Sequence, residues 1–147
     1  MQRFKISIFE KELMRKFPVF ETLSADKSKG VIEKLSCLYR LNISDFRKVQ
    51  EEGQHVANID ATAKDFSPST LFSSYQQPDN LIVIWSTECT VDIFSYQDFC
   101  ECFEYIWYPS ADDILITSES INRMFLIRHD GMIYTKSASQ ELVADFK

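Results

Sequence analysis

Residues 81–95 read LIVIWSTECTVDIFS, and the fold turns on how they are read. Two runs rich in β-branched and aromatic side chains, LIVIWS and TVDIFS, flank the short stretch Thr87-Glu88-Cys89. Strands that pair in parallel need a crossover of about a dozen residues or more. These two runs must therefore form an antiparallel hairpin.

Downstream, Ser95 precedes Asp98 by three residues, an arrangement that caps a helix, and Phe99, Cys102, Phe103 and Ile106 recur at helical spacing. The spacing predicts a helix from Tyr96 to Trp107 that buries this stripe. Pro109 cannot continue it. DILITS (113–118), RMFLIRH (123–129) and MIYTKS (132–137) are three more strand patterns. The last two are joined through His129-Asp130-Gly131-Met132, where Asp-Gly favours a hairpin turn. The C-terminal half reads β-β-α-β-β-β.

Upstream the pattern is helical. Phe4, Ile6 and Ile8 alternate like a strand, but Ile6, Phe9, Leu13 and Phe17 recur at helical intervals among good helix formers, so a helix is expected to run to Phe17 and stop at Pro18. A second helix is capped by Asp26, shows Val31, Leu35, Leu38 and Tyr39 on one face, and exits at Asn42. The two are expected to form one layer. Residues 44–80 carry a short helix from Ser44 to Val49 and otherwise turn and loop chemistry. The fold class is α+β: N-terminal helices packed on a mainly antiparallel sheet of about five strands, with one inserted helix. No long polar linker divides residues 1–147, so a single domain is expected.

Composition narrows the function. A chain of 147 residues that is 45% hydrophobic can bury an ordinary core. With only 3 Gly, glycine-dependent phosphate or dinucleotide loops are not expected, and no cofactor motif is present. No apolar run approaches the roughly 18 residues of a membrane span, and the charged N-terminal stretch does not resemble a signal peptide. A cytoplasmic protein with reduced thiols and no membrane partner is the expectation.

Charge is divided. Residues 1–50 hold 11 Lys and Arg against 6 Asp and Glu, whereas residues 79–119 hold 9 Asp and Glu and no Lys or Arg. The acidic half repels a phosphate backbone, which argues against nucleic acid and for a basic protein partner. On the 96–107 helix, the side opposite the apolar stripe carries Asp98, Glu101, Glu104 and Tyr105, with Tyr108 close by. An amphipathic helix has such a solvated face in any case. The functional alternative is a recognition face, in which carboxylates attract cations and tyrosines supply contact area.

The following stretch, WYPSADDILI (107–116), is first a helix-to-strand corner, with Pro109 as breaker and Ser110 and Asp112 as turn formers. Asp112 and Asp113 extend the acidic field. As strand neighbours they point to opposite sides, so they do not form a paired acid/base site. Cys100 and Cys102 lie about 200° apart on a helix and cannot share a metal. Cys37, Cys89, His55 and His129 show no ligand spacing, so no metal is expected. Cys89, in a turn, with His129, at another strand end, is the one nucleophile and base pairing that a thiol enzyme could use.

The run IWYPSADDILI followed by RMFLIRHDGMIY resembles small acidic bacterial proteins found among the immunity proteins of polymorphic toxin systems. The likeness spans about residues 81–136 and consists of aromatic-Pro-Ser-x-Asp-Asp, a strand and an Asp-Gly hairpin. It implies a cytosolic, non-enzymatic binder that neutralises a basic toxin or nuclease partner through the acidic aromatic surface. Two other readings remain open: a small Cys/His enzyme, and a structural or regulatory interaction module.

Overall fold

The computed structural model describes residues 1–86 and 89–141; Thr87 and Glu88, which the sequence reading assigns to the first hairpin turn, lie outside them. In chain order the elements are α1 (Arg3–Leu13), β1 (Glu21–Thr22), α2 (Ala25–Tyr39), α3 (Phe46–Glu52), β2 (Gln54–His55), a 3-10 turn (Pro68–Phe72), β3 (Asn80–Trp85), β4 (Val91–Ser95), α4 (Tyr96–Glu101), α5 (Phe103–Ile106), β5 (Ile114–Ser118), β6 (Ile121–Ile127) and β7 (Ile133–Ser137). The class is α+β. The strands form one antiparallel sheet in the order β1-β4-β3-β5-β6-β7-β2.

The five long strands are the five sequence patterns. The sheet nevertheless has seven strands, because a two-residue strand lies at each edge. Two residues are too few to leave a periodicity. These short strands cover the open edges: Leu23 N–H donates to Val91 O at one end and Val56 N–H to Ile133 O at the other. Exposed edges invite pairing with other chains, and short edge strands are a common guard.

Alternation along β3 separates two cores. Leu81, Val83 and Trp85 face a layer that includes Phe9, Phe72, Phe99, Phe103 and Ile106. Ile84 faces the other side, with Ile32, Leu35, Tyr39, Phe46 and Val49. Thus α1 and α2 do not share a layer as expected from the sequence; the sheet lies between them. The edge strands are the reason, because β1 carries the chain round one edge from the α1 face to the α2 face. At the opposite edge β2 returns it from α3 to the face of the 3-10 turn.

Helix ends also differ from expectation. Helix α1 stops at Leu13, where Met14 turns left-handed (φ 54°), and not at Phe17. Phe17 still reaches the core: its ring meets Phe9 edge-on at 4.9 Å and its N–H donates to Glu10 Oε2. The periodicity named the correct residue on the wrong backbone. Ser24, not Asp26, caps α2 by accepting from Lys27 N–H, and Ile32, Leu35 and Tyr39 form its buried face with Val31 and Leu38 at the margin. Asp45 caps α3, which begins at Phe46 and so later than Ser44.

The expected 96–107 helix is broken at Cys102 (φ −103°, ψ 9°) into α4 and α5. Its cap and its stripe are as read. Ser95 Oγ accepts from Asp98 N–H at 3.1 Å, and Phe99, Cys102, Phe103 and Ile106 are buried. In the last hairpin Gly131 takes φ 89° and leaves no room for a Cβ against the Asp60 carboxylate, so no other residue fits there without strain.

Candidate functional site

The corner after α5 is built around Asp112. Its carboxylate accepts from Tyr108 N–H at 2.8 Å and from the Lys5 ammonium at 2.5 Å, while its carbonyl accepts from Trp107 Nε1 at 2.9 Å. Ser110 turns left-handed (φ 70°), and its N–H donates to His129 O at 2.8 Å. Asp113 is engaged separately. Its Oδ1 accepts from His129 N–H at 2.7 Å, lies 3.0 Å from His129 Nδ1 and is 3.4 Å from Arg128 Nε.

Lys5 is the residue that sequence reasoning missed. Its side chain is 1% exposed, donates to Ile106 O at 2.9 Å and lies 4.5 Å above the Trp85 ring and 4.9 Å above the Tyr108 ring. Burial pulls its pKa below the usual lysine value, and the hydrogen bond and charge of Asp112 pull it back up. Nothing in the local pattern of α1 marks this lysine as internal. A fully buried carboxylate, Asp92, accepts from the Met1 amino group, from Trp85 Nε1 at 2.8 Å and from Thr22 Oγ1 at 2.6 Å. Three carboxylates of the acidic stretch, Asp92, Asp112 and Asp113, therefore have donors inside the protein.

The mixed face of acid and phenol is divided in the same way. The Tyr105 ring meets Phe9 of α1 edge-on at 5.1 Å, and its hydroxyl donates to Glu12 at 2.8 Å. That hydrogen bond is the largest cause of its raised pKa. Tyr108 packs on Phe4 of α1 at 5.9 Å, and its pKa is raised chiefly by burial. Both tyrosines are half-buried against α1. They hold that helix in place and are not free standing.

Glu101 and Glu104 are different. Both are exposed and sit on one lip of a groove of about 360 Å³ between α4/α5 and residues 61–66. Among the described residues the Glu101 carboxylate accepts only from the neighbouring Gln97 side chain, and the Glu104 carboxylate makes no hydrogen bond. Among the described residues neither forms an ion pair. Asp98 is half-exposed in the first turn of α4 and does not line the groove. Phe66, Phe103 and Trp107 do line it. Sequence reasoning placed Phe103 in the core, where it lies, and read the aromatics of the stretch that includes Phe66 only as scattered loop anchors; it did not bring Phe66 beside Phe103, because residues 61–66 are far away in the chain and carry no periodicity.

The thiols offer less. Burial pushes the pKa of both Cys100 and Cys102 up, so both remain protonated and poorly nucleophilic at neutral pH. Cys89 is exposed with left-handed backbone (φ 49°), but no hydrogen bond joins it to His129, whose Nδ1 faces Asp113. Among the described residues no group of three or more His, Cys, Asp or Glu is placed to hold a metal ion, and no helix is long and apolar enough to cross a membrane.

No protein-family model matches the chain, and no curated protein and no solved structure matches it either.

Proposed function

We propose that the protein is a non-enzymatic binding module that captures a basic protein partner on the α4/α5 face, in the manner of an immunity protein neutralising a toxin domain. One observation supports this most directly: Glu101 and Glu104 face outward without an ion-pairing partner among the described residues, whereas Asp92, Asp112 and Asp113 are matched internally. Unmatched like charges on one surface attract cations and accelerate encounter with a basic protein. They repel nucleic acid, so a nuclease domain would bring the cations that it normally holds for its own substrate.

Glu101 and Glu104 are the centre of the proposed surface, Asp98 flanks it, and Tyr105, Tyr108, Asp112 and Asp113 shape the scaffold behind it. The test is a pull-down from native cytosol followed by binding kinetics with the captured partner. Reversing Glu101 and Glu104 to Lys should lower the association rate and flatten its dependence on salt. An association rate that both reversals leave unchanged at low salt would sink the reading.

A further inference from the structure

The groove beside Glu101 and Glu104 has a shape and a chemistry that specify one side chain. We infer that it is an arginine slot: it receives a single guanidinium of the partner, packed against the half-buried Phe66 ring and hydrogen-bonded by the two carboxylates. The inference rests on the proposed function, since it names what on the basic partner meets this face.

The walls are already formed. Ala61 N–H donates to Gly131 O at 3.0 Å, and the Asp60 carboxylate accepts from both the N–H and the hydroxyl of Thr62, at 2.8 and 2.6 Å. The first bond ties the far lip to the turn between β6 and β7, and the other two brace the lip internally. Phe66 is the half-buried ring that the groove exposes; it meets the buried Phe103 at 5.4 Å, which in turn stacks on the buried Trp107 at 5.5 Å with planes only 9° apart, so a rigid aromatic layer backs it. A groove held by its own bonds needs little ordering when a ligand arrives, which lowers the entropic cost of binding. Its volume, about 360 Å³, falls at the lower end of the roughly 300–1,000 Å³ of small-ligand sites and suits one long side chain, not a helix or strand.

Charge decides the occupant. Glu101 and Glu104 stand three residues apart across the Cys102 break, on the same lip, and an anion is repelled by both. Among the described residues Lys64 is the only cation lining the groove, and it forms no ion pair with either carboxylate. Between the two basic side chains, arginine fits better. Its planar guanidinium stacks on aromatic rings, presents a fork of N–H groups to carboxylates and gives up its hydration more readily than an ammonium.

The experiment uses the full chain with two fluorescent probes, an oligo-arginine and an oligo-lysine peptide of equal length, followed by anisotropy at low salt. The arginine peptide should bind about tenfold more tightly. Ala63→Trp fills the groove from its exposed far lip without changing charge, and should weaken the arginine peptide about tenfold, or about 1.4 kcal/mol, while hardly affecting the lysine peptide. Lys64→Ala, which removes the competing cation, should tighten arginine binding. Equal affinities for the two peptides, or an Ala63→Trp effect shared equally by both or absent from both, would overturn the slot. If Glu101→Lys and Glu104→Lys still weaken both peptides in that case, the proposed function stands without it. If the reversals leave both peptides bound as before, the slot and the function reading fail together.

Discussion

Glu104 and Asp112 are eight residues apart in one acidic stretch, yet the protein treats them in opposite ways. Asp112 is drawn inward, where Tyr108 N–H and Lys5 satisfy it; the Glu104 carboxylate stands in solvent with no hydrogen bond among the described residues. A carboxylate taken from water must be matched by donors, whereas an exposed one needs none. The difference separates carboxylates that build the molecule from carboxylates free to meet another. A count of acidic residues cannot make that separation.

The comparison breaks most visibly if the inner carboxylate proves dispensable. Asp112→Ala leaves the Lys5 ammonium buried without its partner, and removing one member of a buried pair costs roughly 3–5 kcal/mol. Chemical denaturation should show a loss of that size. Lys5→Met keeps the volume and removes the buried charge, so its loss should be clearly smaller. Equal losses would mean that the pair matters as a contact and not as charge.

A core truncation calibrates the scale. Phe99 is 0% exposed in the stripe behind the acidic face, and Phe99→Ala should cost roughly 3–5 kcal/mol by the same measurement. Tyr105→Ala should also lower the melting temperature, by less, because it releases contacts with Phe9 and Glu12. The helix wheel alone places Tyr105 on the solvent side and expects folding to be indifferent to it. A melting temperature unchanged by Tyr105→Ala would favour the wheel over the packing described here.

Titration sharpens the contrast from another side. Burial lowers the pKa of Lys5 from 10.5, so the folded protein releases this proton at a lower pH than the unfolded chain does. Where the unfolded state holds more protons, stability rises with pH, and the Lys5 contribution should improve as pH climbs towards 10.5. Tyr39 works in the opposite sense: burial raises it to about 12, so the unfolded chain ionises first and stability falls with rising alkalinity. Wild type and Lys5→Met share that tyrosine effect. The stability of wild type relative to Lys5→Met should therefore increase as the pH rises towards 10.5, and a constant difference would contradict a desolvated Lys5.

The smallest effect is expected on the outer face. Glu101→Gln and Glu104→Gln should leave the melting temperature unchanged, since surface substitutions away from any network rarely matter to stability. A marked loss from either would show that the groove's lip is structural and would place Glu104 in the same class as Asp112.

Much of this was legible in the sequence, and the reasons are local. The hairpin of LIVIWS and TVDIFS, the three later strands and the Ser95 cap follow from alternation, β-branching and capping chemistry within a few residues. The stripe Phe99, Cys102, Phe103 and Ile106 follows from helical spacing and is buried. These elements fix their burial by short-range geometry, so a short window suffices to read them. The placement of α1 and α2 on opposite faces was not legible, because it depends on two-residue edge strands that leave no pattern.

The site divides along the same line. The sequence by itself determined that the 79–119 stretch is acidic and that its helix turns carboxylates away from the core, since both follow from composition and helical period. Only the tertiary structure decided which of those carboxylates remain available. Lys5 and Asp112 are 107 positions apart, and the wall opposite Glu101 and Glu104 comes from residues 61–66. Ion pairing and groove formation depend on which distant segments the fold brings within a few ångströms, and no local period encodes that distance.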